Sequence, residues 1–271
     1  MSEVPTPDVS AEHREYLRNR KLYRIKIVAA QALLLVGIII LWEAAANWRL
    51  IDPFITSQPS RVVKTLISLH NGGDLYRHIG ITVFETVVGF TLGTVIGTGV
   101  AVLLWWSDFL SRVLEPYLVI LNSLPKIALA PIIIVWIGQG MTAIIAMALF
   151  ISLVVTILSV HSGFAQVDTE KVKLLRTFGA TKIQVLSKVI LPASVPTIIA
   201  ALKINVGLSW VGVIVGEFLV SRAGLGYLIV YGGQVFRLDL VMTSVIILAV
   251  AAAIMYQSIV FLEKIIVGQR H

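Results

Sequence analysis

The sequence predicts an all-α polytopic membrane protein with about six transmembrane helices, and three observations lead to this prediction. The 271 residues are 57% apolar and only 14% charged, with a mean hydropathy of +0.90, whereas a soluble domain has about 25% charged residues. The apolar residues form six continuous runs, each long enough for a helix to cross about 30 Å of hydrocarbon. The runs do not alternate with polar residues, which argues against a β-barrel.

Short polar segments separate the six predicted spans. Pro125 and Pro131 interrupt the third span, so it is the least regular of the six. The first run also has some features of a cleaved signal peptide, but its polar lead is long and the run is nearly of span length, which favours a retained helix. The predicted spans are Ile27–Ala46, Ile79–Trp105, Leu114–Ile137, Met141–Val160, Ile198–Val220 and Val241–Val267.

The basic residues indicate how the chain is oriented. The 22 Lys and Arg exceed the 15 Asp and Glu and give a net charge of +7, but they are scattered over the polar segments instead of forming the single patch of a nucleic-acid-binding protein. They are concentrated in alternate segments, so the positive-inside rule predicts that both termini lie in the cytoplasm. The predicted organisation is a cytoplasmic lead at 1–26, a transmembrane region at 27–267 and a tail at 268–271. The chain has no cysteine, which excludes disulfides and cysteine metal sites.

The polar segment between the fourth and fifth spans, residues 168–192, is predicted to form two short amphipathic helices around a glycine. Asp168 or Thr169 caps the first helix. Gly179 stands where a helix end favours a residue with positive φ, and Thr181 caps the second helix. The apolar side of the first helix is Val172, Leu175 and Phe178; that of the second is Ile183, Leu186, Val189 and Ile190, and Pro192 and Pro196 close the unit. Such a loop suits docking by another protein, and the alternative is a hairpin lying on the membrane.

This loop resembles the Glu-Ala-Ala loop of permease subunits of bacterial ATP-binding-cassette importers, and more closely that of the nitrate/sulfonate/taurine/bicarbonate type. The resemblance covers roughly residues 55–265. The stretches that support it are Leu121–Pro131 with Val135–Gly138, Arg176–Ala180 with Val189–Pro192, and Gly216–Leu219 with Ala223–Leu228.

The resemblance implies a type I importer fold in a bacterial plasma membrane, with partners that the chain itself does not contain. Two permease subunits, in the simplest case a homodimer, form a pathway; two cytoplasmic ATPase subunits bind the loops; and an extracytoplasmic binding protein delivers the substrate. ATP and Mg²⁺ belong to the ATPase subunits, because this sequence has no G-x-x-x-x-G-K-[ST] phosphate loop. No catalytic residue, bound cofactor or metal ligand is expected in this chain.

The residues that the resemblance assigns to ATPase coupling all lie in the loop. The Glu-Ala-Ala of the family falls on Lys173, Leu174 and Leu175, so a charge contact made by that glutamate does not carry over to this chain. The assigned residues are Val172, Lys173, Leu174, Leu175, Arg176, Phe178, Gly179, Ala180, Leu191 and Pro192.

Several polar residues inside the spans are candidates for the translocation pathway. A stripe of small residues on span five includes Asn205 and Ser209, which either pack against another helix or line the pathway. Glu217 either pairs with the irregular segment that contains Arg222 or takes part in a gate. The candidate pathway residues are Asn122, Lys126, Asn205, Ser209 and Glu217.

Other residues in the spans have structural interpretations. Gly89, Gly93 and Gly97 form a small-xxx-small ladder that favours close helix packing. Glu85 shares the face of this ladder and is expected to form a buried hydrogen bond or ion pair. Glu43, Lys203 and Glu263 lie near span ends, where their side chains can reach the membrane surface.

The predicted function is translocation of a small anion of the sulfonate, taurine, nitrate or bicarbonate type. The first alternative is the same architecture importing a heterocyclic vitamin or its precursor. A second alternative is an ATP-independent channel or secondary carrier, which would require an inverted repeat or more buried ionisable residues. A membrane enzyme is unsupported, because the sequence has no H-E-x-x-H or G-x-S-x-G motif.

Overall fold

The computed structural model describes residues 11–268, and the side chains of residues 15–266. The predictions for residues 1–10 and 269–271 lie outside this part. All regular secondary structure of the described residues is helical, which confirms the predicted fold class. Five helices in this range are long and apolar enough to cross a membrane, and a sixth span results if one bent pair of helices is counted as a single span.

The chain divides into two compact units, residues 1–63 and 64–271. The first unit contains α1 (Ala11–Asn47), α2 (Pro53–Thr56) and the beginning of α3 (Pro59–Asn71). From Ala11 onward, the predicted lead and the first span therefore form one uninterrupted helix. Glu43, which was expected only to reach the membrane surface, accepts hydrogen bonds from the backbone N–H of Ser60 at 3.0 Å and from its hydroxyl at 2.9 Å.

The second unit is a helical bundle organised around one central helix, α7. It packs extensively against both α4 and α10, and α4 and α10 also contact each other. The helices are α4 (Asp74–Trp106), α5 (Asp108–Ser123), α6 (Ala130–Ile137), α7 (Met141–Ala165), α8 (Thr169–Thr177), α9 (Lys182–Val185), α10 (Leu191–Val220), α11 (Leu225–Gln234) and α12 (Leu238–Gly268).

The glycine ladder of α4 packs directly on α7, as predicted. A Cβ atom built on Gly89 would lie 2.6 Å from the Cβ of Ala148, and one on Gly97 would lie 2.7 Å from Thr156 side-chain atoms. Gly93 faces the side chain of Ser152 in the same way. The absence of side chains at these positions of α4 therefore allows the two backbones to approach closely.

The third predicted span is broken. α5 and the segment Lys126–Ile137 meet at an angle of 89°. Leu124 ends α5 with extended backbone (φ −66°, ψ 139°), because a residue before proline is disfavoured in the helical region. A short 3₁₀ turn, Lys126–Leu129, follows Pro125 and leads into α6. The prolines therefore divide this span into two helices instead of merely kinking one.

Lys203 on α10 and Glu263 on α12 form an ion pair with an Nζ–Oε2 distance of 2.6 Å. Both were expected only to reach the membrane surface, and the structure shows that they compensate each other. Spacing along either helix could not reveal this partnership, because 60 residues separate the two positions.

Candidate functional site

The first helix of loop 168–192 is fixed at both ends by local hydrogen bonds. The Asp168 carboxylate accepts from the backbone N–H of Glu170 at 2.8 Å and caps α8. Gly179 has φ +78°, and the N–H of Ala180 reaches back to the carbonyl of Leu175 at 3.0 Å. The predicted cap and glycine position are confirmed, and the loop has a defined shape.

The second helix begins as predicted but does not end as predicted. Thr181 and Gln184 form a complete capping box at the start of α9. The prediction that Pro192 and Pro196 close the unit is wrong: the chain passes through a π-helical turn, Leu186–Ile190, directly into α10. Pro192 lies at the start of α10, directly after the π turn. The π turn accommodates the change in hydrogen-bond register that a proline inside a continuous helical segment requires.

One side of the loop is anchored in the bundle. Val172, Leu175, Ala180 and Leu191 pack against a buried cluster contributed mainly by α4, α7 and the helix that follows the loop. Val185 of α9 is fully buried in this cluster. The contacts connect the loop to the ends of three long helices, so a displacement of the loop has to be shared by those helices.

The opposite side of the loop exposes three large apolar residues. Leu174, Phe178 and Ile183 are 56%, 80% and 63% exposed. The prediction that Phe178 shares a face with Val172 and Leu175 is wrong, because Phe178 is the residue that ends α8 and no longer follows the helical spacing. Ile183 likewise points away from the buried side of its helix.

The small-residue stripe of α10 faces α7. Asn205 and Ser209 are buried, and the Asn205 amide donates to the hydroxyl of Thr156. A Cβ atom on Gly216 would lie 3.0 Å from the Cα of Ile144, and Gly212 approaches the backbone of Ala148 still more closely. The structure thus places the stripe in helix packing, and the pathway role of Asn205 and Ser209 stays a prediction.

The two candidate pathway residues near the third span contact each other. The ammonium group of Lys126 donates to the backbone oxygen of Asn122 at 3.1 Å and lies 3.4 Å from its side-chain oxygen. Asn122 is exposed and Lys126 partly exposed. Lys126 therefore donates a hydrogen bond to a backbone carbonyl in the last turn of α5, and part of its side chain stays exposed.

Glu217 is held by α4 and the start of α11. Its Oε1 accepts from the Thr82 hydroxyl at 2.6 Å, and its Oε2 accepts from the backbone N–H of Gly226 at 2.5 Å. The same Thr82 oxygen accepts from the backbone N–H of Leu225 at 2.8 Å. A carboxylate at a helix N-terminus is favourable, and no pairing with Arg222 is needed to explain its position.

A second buried carboxyl group adjoins the first. The side chains of Glu85 and Glu217 are both buried and are neighbours in the interior of the bundle. Oε2 of Glu85 is buried without a hydrogen-bond partner. Glu85 also lines a cavity of about 350 Å³ together with Gln139 and Arg222. Glu85 is buried, as expected, and its hydrogen bond or ion pair stays a prediction.

Two residues of this network were missed at the sequence level. Thr82 bridges Glu217 and α11, and Nδ1 of His78 accepts from the backbone N–H of Gly224 at 2.8 Å. His78, Thr82 and Thr86 precede the glycine ladder at steps of four, so helical spacing could have placed them on the same face. The partners of His78 and Thr82 on the other elements lie 146 and 135 residues away, and no local pattern indicates them. In the described part of the chain, no cluster of three metal-ligating side chains is present.

Residues 89–268 match the family model described as "Binding-protein-dependent transport system inner membrane component". A "Probable ABC transporter permease protein" of Haemophilus influenzae is 31% identical over 236 residues, covering 87% of this chain and 96% of that protein. The "Putative aliphatic sulfonates transport permease protein SsuC" of Bacillus subtilis is 27% identical over 86% of this chain and 85% of that protein. The "Formylaminopyrimidine transport permease protein ThiX" of Halalkalibacterium halodurans is 29% identical over 70% and 75%.

The fold is also similar to that of solved transporters. A chain of the methionine transporter MetNI in an inward-facing conformation superposes with a TM-score of 0.63 at 22% identity, covering 71% of this chain and 96% of that chain. At this identity the similarity concerns the fold alone.

Proposed function

The chain belongs to the family of binding-protein-dependent transport system inner membrane components, the permease subunits of ATP-binding-cassette importers, and from this membership we propose how it works. Two copies form the translocation pathway, each binds one ATPase subunit through loop 168–192, and a binding protein delivers the substrate on the other side. Both termini lie in the cytoplasm, as the distribution of Lys and Arg favours. ATP and Mg²⁺ bind to the ATPase subunits.

The observation that carries this proposal is the two-sided structure of the loop. Its inner side is anchored on the bundle, and its outer side exposes Leu174, Phe178 and Ile183. Large apolar side chains that are exposed on a short loop are typical of a protein interface. The exposed leucine stands where the family has an alanine, so docking in this chain relies on apolar contact instead of the charge of a glutamate.

The helix that follows the loop provides the route to the pathway. α9, the π turn and α10 form one continuous helical segment from Lys182 to Val220. Asn205, Ser209 and Glu217 all lie on this segment. Closure of the ATPase subunits on ATP displaces the loop, and the displacement moves α10 against α7. Alternating access follows from this movement.

The proposed substrate is a small anion of the sulfonate, taurine, nitrate or bicarbonate type, because a relative at 27% identity is named for aliphatic sulfonates. The cations Lys126 and Arg222 are partly or largely exposed and suit such a substrate. A heterocyclic vitamin precursor is the second candidate, because another relative is named for formylaminopyrimidine.

The proposal is tested by purifying the complex from its native membrane and identifying the bound proteins by mass spectrometry. A stoichiometric ATPase with a phosphate-loop motif is the expected result. Phe178→Ser should weaken its retention, whereas Phe236→Ser, which alters a phenylalanine that is 70% exposed at the other end of the bundle, should leave it unchanged. Equal retention in both variants would contradict the assigned docking surface.

Substrate uptake is measured in proteoliposomes that contain the complete complex. Sulfonates should be taken up only in the presence of ATP and the binding protein. Flux through the permease alone in ATP-free liposomes would instead establish an independent carrier. Uptake of a pyrimidine precursor in preference to sulfonates would establish the second candidate substrate.

A further inference from the structure

A basic cavity lies beneath the inner side of loop 168–192. Its volume is about 420 Å³, and its walls include the side chains of Lys173 and Arg176 on α8, Lys182 on α9, and Trp105 at the end of α4. Phe164 and Ile190, which belong to the buried cluster under the loop, form part of the apolar floor. Lys173 and Arg176, which the resemblance assigns to ATPase coupling, line this cavity, whereas the exposed apolar residues Leu174, Phe178 and Ile183 do not.

The residues that line the basic cavity include three cations and one acid. The acidic residue that lines it, Asp108, already forms an ion pair with Arg112, with an Nε–Oδ2 distance of 2.9 Å. Lys173, Arg176 and Lys182 therefore converge on one cavity with an excess of positive charge. Such a cavity attracts an anion.

The position of Lys182 is fixed by aromatic residues. Its ammonium group lies 5.8 Å from the ring centroid of Trp105 and 5.3 Å from that of Trp106, and it donates to the backbone oxygen of Trp106. Tryptophan is enriched at the boundary between hydrocarbon and headgroups. The cation is thus held beside two residues of the type that is enriched at the headgroup level.

The surface beside the cavity is suited to acyl chains. Trp106 and Phe109, at the corner between α4 and α5, are 42% and 77% exposed. An anion bound in the cavity would have an apolar surface next to it, and a headgroup with its attached chains satisfies both features. A free phosphate ion would use only the cations.

We propose that the basic cavity binds the headgroup of an anionic phospholipid. The phosphate contacts Lys173, Arg176 and Lys182, and the chains lie against the surface that includes Phe109. Basic pockets between helices on the cytoplasmic side are known to recognise lipid headgroups in this way. The assignment of this side to the cytoplasm rests on the proposed function. The lipid contacts both α8 and the end of α4, and it therefore holds the inner side of the loop at the membrane surface.

The test measures lipid retention by the full-length purified protein, so it does not depend on transport or on an ATPase. The protein is placed in nanodiscs or detergent with phosphatidylglycerol or phosphatidylcholine, and bound lipid is counted by native mass spectrometry. The wild-type protein should retain phosphatidylglycerol and lose phosphatidylcholine. Equal retention of the two lipids would overturn the proposal, and this comparison needs no variant.

A matched pair of double variants locates the site. Lys173→Gln with Lys182→Gln removes two cations from the cavity, whereas Lys171→Gln with Lys188→Gln removes two exposed lysines of the same loop that do not line it. The first pair should weaken phosphatidylglycerol binding about 30-fold, as expected for two cations near an anionic surface, and the second should not change it. Equal effects of both pairs would overturn the assignment to this cavity.

Two further measurements identify the occupant. Inorganic phosphate in excess over the lipid should not displace phosphatidylglycerol; displacement would show that the cavity binds free phosphate. Addition of the ATPase subunit should also leave the lipid in place. Loss of the lipid at that step would show that the cavity belongs to the ATPase interface, and failure to bind any ATPase would count against the proposed function alone.

Discussion

The link between Thr82, Glu217 and α11 gives a sharp test of how the α10–α11 turn is held. In Thr82→Val, the side chain keeps nearly its shape but loses its hydroxyl group. The backbone N–H of Leu225 then has no acceptor, and the carboxyl group of Glu217 loses a donor at 2.6 Å. The variant removes hydrogen bonds that connect segments more than 130 residues apart in the chain.

The expected loss of stability follows from these two bonds. A buried N–H without a partner costs about 1–3 kcal/mol, and an ordinary hydrogen bond contributes about 0.5–1.5 kcal/mol. Since part of the loss is relieved by small movements, we expect Thr82→Val to lower the free energy of unfolding by about 2–4 kcal/mol. For a chain of this size the midpoint of thermal unfolding should fall by about 5–10 °C.

Thr86→Val is the matched control, because Thr86 is also completely buried on the same face of α4. Its hydroxyl bonds only to the carbonyl of Thr82, one turn earlier in the same helix, at 2.7 Å. Losing that bond leaves no buried N–H without a partner, so we expect a loss below about 1 kcal/mol. Each variant is fused to a fluorescent protein, and its melting temperature is measured from the folded peak in size-exclusion chromatography after heating. Amide hydrogen exchange is measured across residues 222–230.

Hydrogen exchange separates a local effect from a general one. Thr82→Val should raise the exchange rate at Leu225 and its neighbours, whereas Thr86→Val should not. Equal falls in melting temperature for the two variants, or unchanged exchange at Leu225 in Thr82→Val, would refute the bridging role of Thr82.

Three further predictions concern other contacts. Gly212→Ala should destabilise the protein by about 1–3 kcal/mol, because the new methyl group meets the α7 backbone. The control is Gly207→Ala, whose methyl group meets nothing within 4 Å, and it should be neutral or stabilising in the same unfolding assay. The reverse order of stabilities would disprove the close approach of α10 and α7 at Gly212. Gly179→Val should uncouple ATP hydrolysis from uptake, because φ is +78° at this position and a branched side chain would distort the loop. A normal ratio of substrate uptake to ATP hydrolysis would count against the coupling role of the loop. Lys203→Met should lower the melting temperature more than the double variant Lys203→Met with Glu263→Gln, because the single change leaves the Glu263 carboxylate without its partner. Melting temperatures in the opposite order would contradict the ion pair.

The sequence was informative wherever the cause of a structure is local. The cap at Asp168, the positive φ of Gly179 and the capping box at Thr181 all depend on residues within a few positions of one another. The N-terminal caps and the glycine were accordingly predicted at the right positions. The glycine ladder was also predictable, since small residues repeated at every fourth position of an apolar helix are a strong signal of close helix packing.

The remaining features depend on distant partners or on backbone adjustments. Nothing near Glu217 indicates that Thr82 is its partner, and nothing near Lys203 indicates Glu263. The prolines at 192 and 196 normally signal a helix end, but a π turn upstream of the first proline lets the helix continue. The orientation of Phe178 was missed because one residue beyond the end of a helix the spacing rule no longer applies.

The unbroken segment from Lys182 to Val220 has a mechanical consequence. At about 1.5 Å per residue, its contact with α7 at Gly212 lies roughly 45 Å from the loop end and only about 12 Å from the other end. If the segment turns as a stiff rod with that contact as a fulcrum, a stroke of about 4 Å at the loop becomes an opposite movement of about 1 Å at Val220. A lever of this kind converts a large displacement of the loop into a smaller displacement with a larger force at the α10–α11 turn, which Glu217 holds.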